Sequence, residues 1–251
     1  MDDIRIYELK RVDLKGAVVI DGFPSIGLVS SIVANYLINA LKLEQIGIMD
    51  SVYFPTVSLV RNSEPHNPVR IYASDKLGES EEGERVVAFI SEFQPPPNMV
   101  KAIASTILDW AIEQKCGVLI SPEGLVVERE EGEEPDGDGA KEMVSVYGVG
   151  STGRAREMLD KQGITTFEEG VITGVAGVLL NEGKRRDFDV LSLLAEAHPD
   201  YPDARAAAKI IETIDKMLLH IQIDAAPTTR AGSFFLLGRV TSSSSAPSTT
   251  W

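Results

Sequence analysis

The chain has 251 residues, of which 43% are hydrophobic and 25% are charged, so it can bury a sizeable core as one large globular domain. Its formal net charge of −14 argues against a nucleic-acid or anionic-membrane surface, because both kinds of surface require clustered basic residues. A single cysteine, Cys116, excludes an internal disulfide and favours a reducing compartment. Because the first residues do not resemble a signal peptide and no run reaches about 18 uninterrupted apolar residues, we expect a cytoplasmic location.

The N-terminal part of the chain begins with a strand–turn–helix pattern. Residues 17–20 are apolar and largely β-branched, as in a strand covered on both faces. A Pro/Gly turn follows, and residues 26–41 carry apolar side chains at helical spacing. The pattern predicts the first half of a βαβ unit. Apolar runs between residues 45 and 60, interrupted by Asp50-Ser51 and Pro55, predict two short strands or one strand with a bulge.

Strand-like and helix-like segments continue to alternate after residue 60. Residues 70–73 and 86–90 are predicted strands, and three prolines at 95–97 interrupt regular structure. The following helix has one apolar stripe, with Asn98 at its expected N-cap and Gly117 at its expected end. Further strands are predicted at 118–120, 145–148, at the start of 170–180, and at 189–195. The remaining helices should begin at Ser151 or Thr152 and at Pro202-Asp203. The acidic run 128–138 predicts an exposed loop.

This order of elements predicts an α/β fold, a three-layer α/β/α sandwich with a mostly parallel central sheet. Ligands of such folds collect where the strands end at their carboxyl termini. The loops and strand ends expected there contain the candidate residues of a rim pocket, namely Gly22, Pro24, Gly27, Glu123, Gly124 and His198.

Each of these candidates also has a structural interpretation. The turn at 22–27 lacks both the G-x-G-x-x-G spacing and the Lys-Ser/Thr of a P-loop, which favours a packing turn over a phosphate site. Glu123 and Glu196 could in principle provide acid and base groups, but such carboxylate pairs are common by chance. His198 lies in a predicted rim loop, where a structural hydrogen bond is favoured over catalysis.

The remaining reactive residue types form no recognisable constellation. The three histidines are far apart and share no zinc-binding spacing. Cys116 has no neighbouring base and is interpreted as a buried small hydrophobe, while Ser121 and Ser151 lack a Gly-x-Ser-x-Gly elbow. We therefore assign no catalytic residue and no metal ligand, and expect no cofactor.

Several separated runs resemble the archaeal branch of the proteasome assembly chaperone 2 family over roughly residues 1–224. They are GFPSIGLVSSIVANYLI (22–38), ISPEGL (120–125), VYGVGST (146–152), EGVITGVAGVLL (169–180) and AEAHPDYPDARAAAKIIETIDKML (195–218). Relatives are often described as members of the ATP-grasp superfamily, but this chain shows no feature that reads as a nucleotide or Mg²⁺ site. The resemblance implies a fold similar to the nucleoside phosphorylase/hydrolase group, no established catalysis, homo-oligomers and, in some members, binding to proteasome α subunits.

The expected function is therefore a non-catalytic protein-binding or assembly factor that engages proteasome α subunits. The alternative is an enzyme or binding protein for a small nucleoside-like or phosphorylated ligand in the rim pocket, which the fold would permit. Aromatic side chains and rigid proline turns make good anchors for protein partners. Tyr53, Phe54, Phe93 and Pro95 are therefore candidates for an interface with a partner or between identical subunits.

The C-terminal segment departs from the family pattern. Family members that bind proteasomes can end in a hydrophobic-Tyr-any residue motif, whereas this sequence closes with Thr249-Thr250-Trp251, which puts that contact in doubt. We expect one α/β domain over residues 1–224. Residues 225–251 contain no Asp or Glu and are of low complexity, as in a disordered native tail or a non-native extension, although Phe234–Leu237 could dock as a terminal strand.

Overall fold

The computed structural model describes residues 3–74, 85–126 and 144–219. The strands are β1 (Arg5–Glu8), β2 (Val18–Gly22), β3 (Glu44–Asp50), β4 (Leu59–Arg61), β5 (Glu64–His66), β6 (Val69–Ser74), β7 (Val86–Ser91), β8 (Val118–Leu125), β9 (Val146–Gly150), β10 (Thr165–Thr166) and β11 (Val190–Glu196). The α-helices are α1 (Val29–Ala40), α2 (Pro97–Glu113), α3 (Gly153–Lys161), α4 (Gly174–Arg186) and α5 (Ala204–Ile214). The predicted acidic loop 128–138 and the segment 225–251 lie outside the described residues.

The central layer is a nine-stranded sheet in the order β1-β3-β6-β7-β2-β8-β11-β9-β10. Its middle strands β7, β2, β8 and β11 are parallel to one another. On one side β6, β3 and β1 join in antiparallel pairs, and on the other β9 is antiparallel to β11 while β10 is parallel to β9. The predicted mostly parallel sheet is thus correct only for the centre. No described helix separates β3, β6 and β7, and a parallel pair needs a crossover connection.

Helices cover both faces of this sheet. Apolar side chains of α2 and α4 pack on one face, and those of α1, α3 and α5 pack on the other. Every residue of β2 is buried, as its apolar sequence predicted. The three-layer α/β/α arrangement is therefore confirmed. A separate finding is that the described part of the chain contains no helix with the length and hydrophobicity of a membrane span.

Helix ends show where the sequence signals were correct and where they were not. Thr152 caps α3 by accepting a hydrogen bond of 3.0 Å from the Ala155 N–H, as predicted. The predicted N-cap at Asn98 is wrong, because α2 begins at Pro97, where the missing N–H is not needed. The helix also ends earlier than predicted, at Glu113. The left-handed residue that follows a helix, a role predicted for Gly117, is Lys115, with φ of 58°.

Two further segments differ from the predictions. β8 runs to Leu125, so residues 121–124 belong to the strand itself rather than to a loop after it. Residues 170–173 form no strand, and Gly174 begins α4 directly. The predicted interruption at Asp50-Ser51 is confirmed, since β3 ends at Asp50 and the next strand begins at Leu59. β3 itself has a register shift between Gln45 and Gly47.

Residues 51–68, called the hairpin arm below, form a separate structural feature. Within the arm, β4 and β5 pair as a two-stranded antiparallel sheet apart from the main one. The arm connects β3 to β6.

Candidate functional site

The carboxyl ends of the central parallel strands form a rim, and the turn after β2 is tied into it by polar contacts. The Phe23 N–H donates to Oδ1 of Asp21 at 3.0 Å, and the Ser30 N–H donates to Oγ of Ser25 at 3.1 Å. The Ser30 hydroxyl also donates to the Phe23 carbonyl. The backbone N–H groups of Phe23 and Ser30 and the carbonyl of Phe23 are therefore paired within the chain itself.

The predicted rim glycines lie in close backbone contact with neighbouring segments. A Cβ at Gly22 would lie 2.3 Å from the Phe89 carbonyl oxygen, and one at Gly124 would lie 2.3 Å from the Ile26 carbonyl oxygen. Gly27 has φ of 60°, and a Cβ there would lie 2.9 Å from the His198 carbonyl oxygen. These contacts are those of a packing turn, and they join the turn after β2 to the ends of β8 and β11.

His198 lies at the outer side of this junction. Its side chain is 44% exposed, and its ring stacks on Tyr201 with centroids 4.0 Å apart. The backbone N–H of His198 donates to Oδ2 of Asp203 at 3.1 Å. Burial acts to raise the pKa of Asp203, but hydrogen bonds from the Ala206 and His198 N–H groups and from Arg205 outweigh it and lower the pKa. Asp203 thereby fixes the His198 loop and begins α5.

The structure places Glu123 on a different face from this junction. Alternate residues of β8 face opposite layers: Leu119 packs with the α2 and α4 layer, and Ile120 packs with the α1 and α5 layer. Glu123 shares the face of Leu119, whereas Gly124 contacts Ile26 beside the His198 loop. The six predicted rim residues, including the half-buried Pro24, thus do not converge on one pocket.

On the α2 and α4 face, four polar residues form what we call the carboxyl cluster: Asp21, Ser121, Glu123 and Ser192. Asp21 is 1% exposed, and Oγ of Ser121 donates to its Oδ2 at 2.7 Å. Ser192 lies opposite Ser121 in the register of β11 and β8, and it is fully buried. Its hydroxyl has no hydrogen-bond partner in the part of the chain that the structure describes.

The two carboxyl groups of this cluster interact. Burial raises the pKa of Asp21 to about 6, although hydrogen bonds from Ser121 and Phe23 act in the opposite direction. Burial and the neighbouring Asp21 charge raise the pKa of Glu123 well above its ordinary value. The charge that acts on Glu123 is therefore that of Asp21. Glu196, the carboxylate that the sequence offered as a less favoured partner, lies opposite Leu125.

In this arrangement both carboxyl groups favour their protonated forms more than they do in water, and they can exchange hydrogen bonds with a small polar group. No set of three or more His, Cys, Asp or Glu residues among the described ones is arranged as a metal site. Sequence reasoning missed Asp21, although an acidic residue inside the apolar run AVVIDGF was a usable signal. Cys116 is buried as predicted, and burial raises the pKa of its thiol to about 12.

The four predicted interface residues differ widely in exposure. Tyr53 is 64% exposed, but Phe54 and Pro95 are buried and Phe93 is half-buried. The rings of Phe54 and Phe93 meet edge to face with centroids 5.1 Å apart. Phe54 therefore anchors the hairpin arm to the body, and the exposed apolar side chains of the arm are Val52, Tyr53, Val57 and Val60.

A charged contact also attaches the arm. The guanidinium of Arg70, which is 1% exposed, donates to the Glu92 carboxylate at 2.5 Å and to the Asn67 carbonyl at 2.8 Å. Arg61 of β4 lies 3.7 Å from the same carboxylate. These contacts thus fix the hairpin arm, with its exposed apolar side chains, to the body of the protein.

Comparisons with known proteins place this geometry in a family. The model of the PAC2 family matches residues 19–230. An uncharacterised protein of Methanocaldococcus jannaschii is 24% identical over 225 residues, which cover 89% of this chain and 85% of that protein. Neither finding supports the ATP-grasp description of such relatives.

Similar solved structures have the same fold. The crystal structure of Pyrococcus furiosus PbaA, an archaeal homolog of proteasome-assembly chaperone, is 28% identical with a TM-score of 0.78, covering 92% of each chain. Pyrococcus furiosus PbaB, an archaeal proteasome activator, is 24% identical with a TM-score of 0.76, covering 94% of this chain and 96% of that one. The likeness to the nucleoside phosphorylase/hydrolase group stays a prediction. With most of its length matched by the family model, the chain belongs to the PAC2 family.

Proposed function

We propose that this chain is a non-catalytic assembly chaperone of the cytoplasm that works as a homo-oligomer and binds proteasome α subunits. The observation that carries the proposal is the 28% identity to PbaA, the archaeal homolog of proteasome-assembly chaperone, over 92% of both chains. Membership of the PAC2 family supports the same chaperone-like role.

The hairpin arm is the surface that we assign to this role. In the arm Val52 is 79% exposed, Val60 is 66% exposed and Val57 is 52% exposed, and the ring of Tyr53 is exposed as well. A chaperone needs apolar surface that is accessible before its client is bound. Because the Phe54–Phe93 contact and the hydrogen bond from Arg70 to the Asn67 carbonyl fix the arm, little conformational entropy is lost when it binds.

The test is co-expression with the cognate proteasome α subunit, followed by affinity capture and native mass spectrometry. The arm variant is Tyr53→Ser/Val60→Ser, and the matched control is Val171→Ser, which alters an 86% exposed valine outside the arm. We expect the wild type and the control to capture the α subunit and the arm variant to lose at least tenfold in affinity.

Two outcomes would contradict parts of the proposal. If the wild-type chain formed no complex with the α subunit, the α subunit would be ruled out as its partner. An arm variant that keeps the α subunit but elutes as a smaller oligomer would assign the arm to contacts between identical subunits, which is the alternative role of these residues.

The carboxyl cluster favours a second candidate function, the binding of a small ligand at the rim. Two carboxyl groups and a buried Ser192 hydroxyl without a described partner suit a hydroxyl-rich neutral ligand, such as a nucleoside, better than a phosphorylated one, because Asp21 repels phosphate once it is ionised above about pH 6. A thermal shift of several degrees with adenosine, a smaller one with AMP and none in Ser192→Ala would support it. Equal responses in wild type and variant would remove the cluster from this role.

A further inference from the structure

A groove between β1 and α2, called the edge groove below, lies far along the sheet from the rim. It consists of two cavities of about 270 and 460 Å³ that share Ile6, Glu8 and Trp110. β1 contributes Ile6 and Glu8, and Ile4 just before the strand lies on the same face. The helix contributes Ala102, Ser105, Thr106, Asp109 and Glu113, which lie on successive turns of one face. The groove is therefore lined by one face of a strand and one face of a helix.

β1 is an edge strand beside this groove. Among the described residues it pairs only with β3, so backbone N–H and C=O groups along its other side have no strand partner. Such an edge can accept an additional strand, whose main chain forms hydrogen bonds while alternate side chains enter the adjoining groove. A segment added to β1 would pass beneath α2.

The charge of the larger cavity indicates what kind of segment fits. Glu8, Asp109 and Glu113 line it, and no Lys or Arg is present in that lining as the structure describes it. Asp109 accepts a hydrogen bond from Arg186, and Glu8 accepts one from the Gln114 side chain at 3.1 Å. Glu8 and Glu113 form no ion pair among the described residues, so the larger cavity attracts cationic side chains. The cationic residues Lys10 and Arg11 line only the smaller cavity.

Trp110 gives a second indication that the groove is incomplete. Its ring packs edge to face on Phe89 with centroids 5.4 Å apart and lines both cavities. The indole N–H is buried and has no acceptor in the described part of the chain. Unpaired buried donors are rare in proteins, because each loses its hydrogen bond to water.

We propose that the edge groove binds an extended segment of another protein, which adds as a strand to β1 and carries lysine or arginine at alternate positions above Glu8 and Glu113. This inference is independent of the proposed function, because it concerns a surface other than the hairpin arm. A second copy of this chain fits poorly: pairing of β1 with β1 of a copy would bring the carboxylates of the two grooves together, in a chain that already has a net charge of −14.

The experiment uses the full chain and a fluorescent nonapeptide with lysine at alternate positions and threonine between them. Controls are the same peptide with glutamate in place of lysine and a lysine peptide with N-methylated alternate amides. We expect saturable binding of the lysine peptide, measured by fluorescence anisotropy, with slower deuterium exchange of the β1 amides. Both control peptides should bind at least tenfold more weakly.

Protein variants separate the groove from the general negative charge of the chain. Glu8→Lys/Glu113→Lys should lower affinity for the lysine peptide at least tenfold. Glu157→Lys/Glu168→Lys makes the same change in charge at two exposed glutamates outside the groove and should change affinity by less than twofold.

Several outcomes would overturn the proposal. They are equal binding of the lysine and glutamate peptides, no binding of either, or equal losses in the two double variants. Protection of β1 that rises with protein concentration in the absence of peptide would show instead that a second copy occupies the edge.

Discussion

The Ser121 hydroxyl donates a hydrogen bond of 2.7 Å to the carboxylate of Asp21, joining β8 to β2 in the middle of the sheet. This contact places an acidic group in the interior, where burial raises its pKa to about 6 from an ordinary value of 3.8. A buried carboxyl group in the centre of the sheet links the stability of the fold to pH.

The first prediction concerns that link. Since the folded-state pKa of Asp21 is raised, protonation stabilises the fold: this contribution is complete below pH 3.8 and is lost as pH rises through about 6. At one pKa unit per 1.4 kcal/mol the change is about 3 kcal/mol. Relative to wild type, Asp21→Asn should therefore gain stability between pH 4 and 7 in urea unfolding. The exposed Asp160→Asn should parallel the wild type, and parallel curves for Asp21→Asn would contradict the interpretation.

The second prediction concerns the packing of the rim turn. A Cβ at Gly124 would lie 2.3 Å from the Ile26 carbonyl oxygen, so Gly124→Ala must displace the backbone and should cost about 3 kcal/mol. Gly153→Ala is the matched control, because nothing lies within 4 Å of its Cβ position and a helix begins there. It should change the free energy of unfolding by less than about 1 kcal/mol. Equal effects of the two substitutions would refute the close backbone contact.

The third prediction concerns the anchor of the hairpin arm. Phe54→Ala removes the edge-to-face contact with Phe93 and should cost about 3 kcal/mol, with faster deuterium exchange across residues 51–68. Tyr53→Ala changes an exposed neighbour and should leave both quantities almost unchanged. If exchange in the arm were the same in both variants, Phe54 would not be the anchor.

The fourth prediction concerns the buried guanidinium of Arg70. Glu92→Gln leaves this charge without its carboxylate and should cost about 3 kcal/mol. The double variant Arg70→Met/Glu92→Gln should lose less stability than the sum of the two single variants, because no unpaired charge remains. Arg61→Met breaks only the longer 3.7 Å contact and should cost less than about 1 kcal/mol. Additive losses in the double-mutant cycle would show that the contact is not coupled.

The fifth prediction concerns Asp203, which accepts hydrogen bonds from the N–H groups of Arg205 and Ala206 at the start of α5. Asp203→Ala should cost about 1 to 2 kcal/mol, and Asp203→Asn should cost less. Because the pKa of Asp203 is lowered in the fold, its stabilising effect is present above pH 3.8 and lost as pH falls through the folded-state pKa. Thermal melts at pH 7 and pH 3 should thus show a smaller difference between Asp203→Ala and wild type at the lower pH. A difference independent of pH would contradict the charged cap.

The sequence predicted those features that depend on local patterns. Apolar runs located the central strands, and the cap at Thr152 followed from residue type alone. The direction of the flanking strands was not predictable in this way, because it depends on the partners of β6 and β9 in space. The carboxyl cluster was missed for the same reason, since Asp21 and Ser192 belong to strands far apart in the chain and become neighbours only through β8.

The central place of β2 also has a consequence for synthesis of the chain. Its two neighbours in the sheet, β7 and β8, begin only at Val86 and Val118, and sequential synthesis produces both long after β2. Until Ser91 has left the ribosome β2 has no partner on either side, and it lacks its second neighbour until Leu125 has emerged. A nascent chain therefore exposes β2 without its sheet partners during the first part of translation, and folding at the middle of the sheet waits for contacts of high sequence separation.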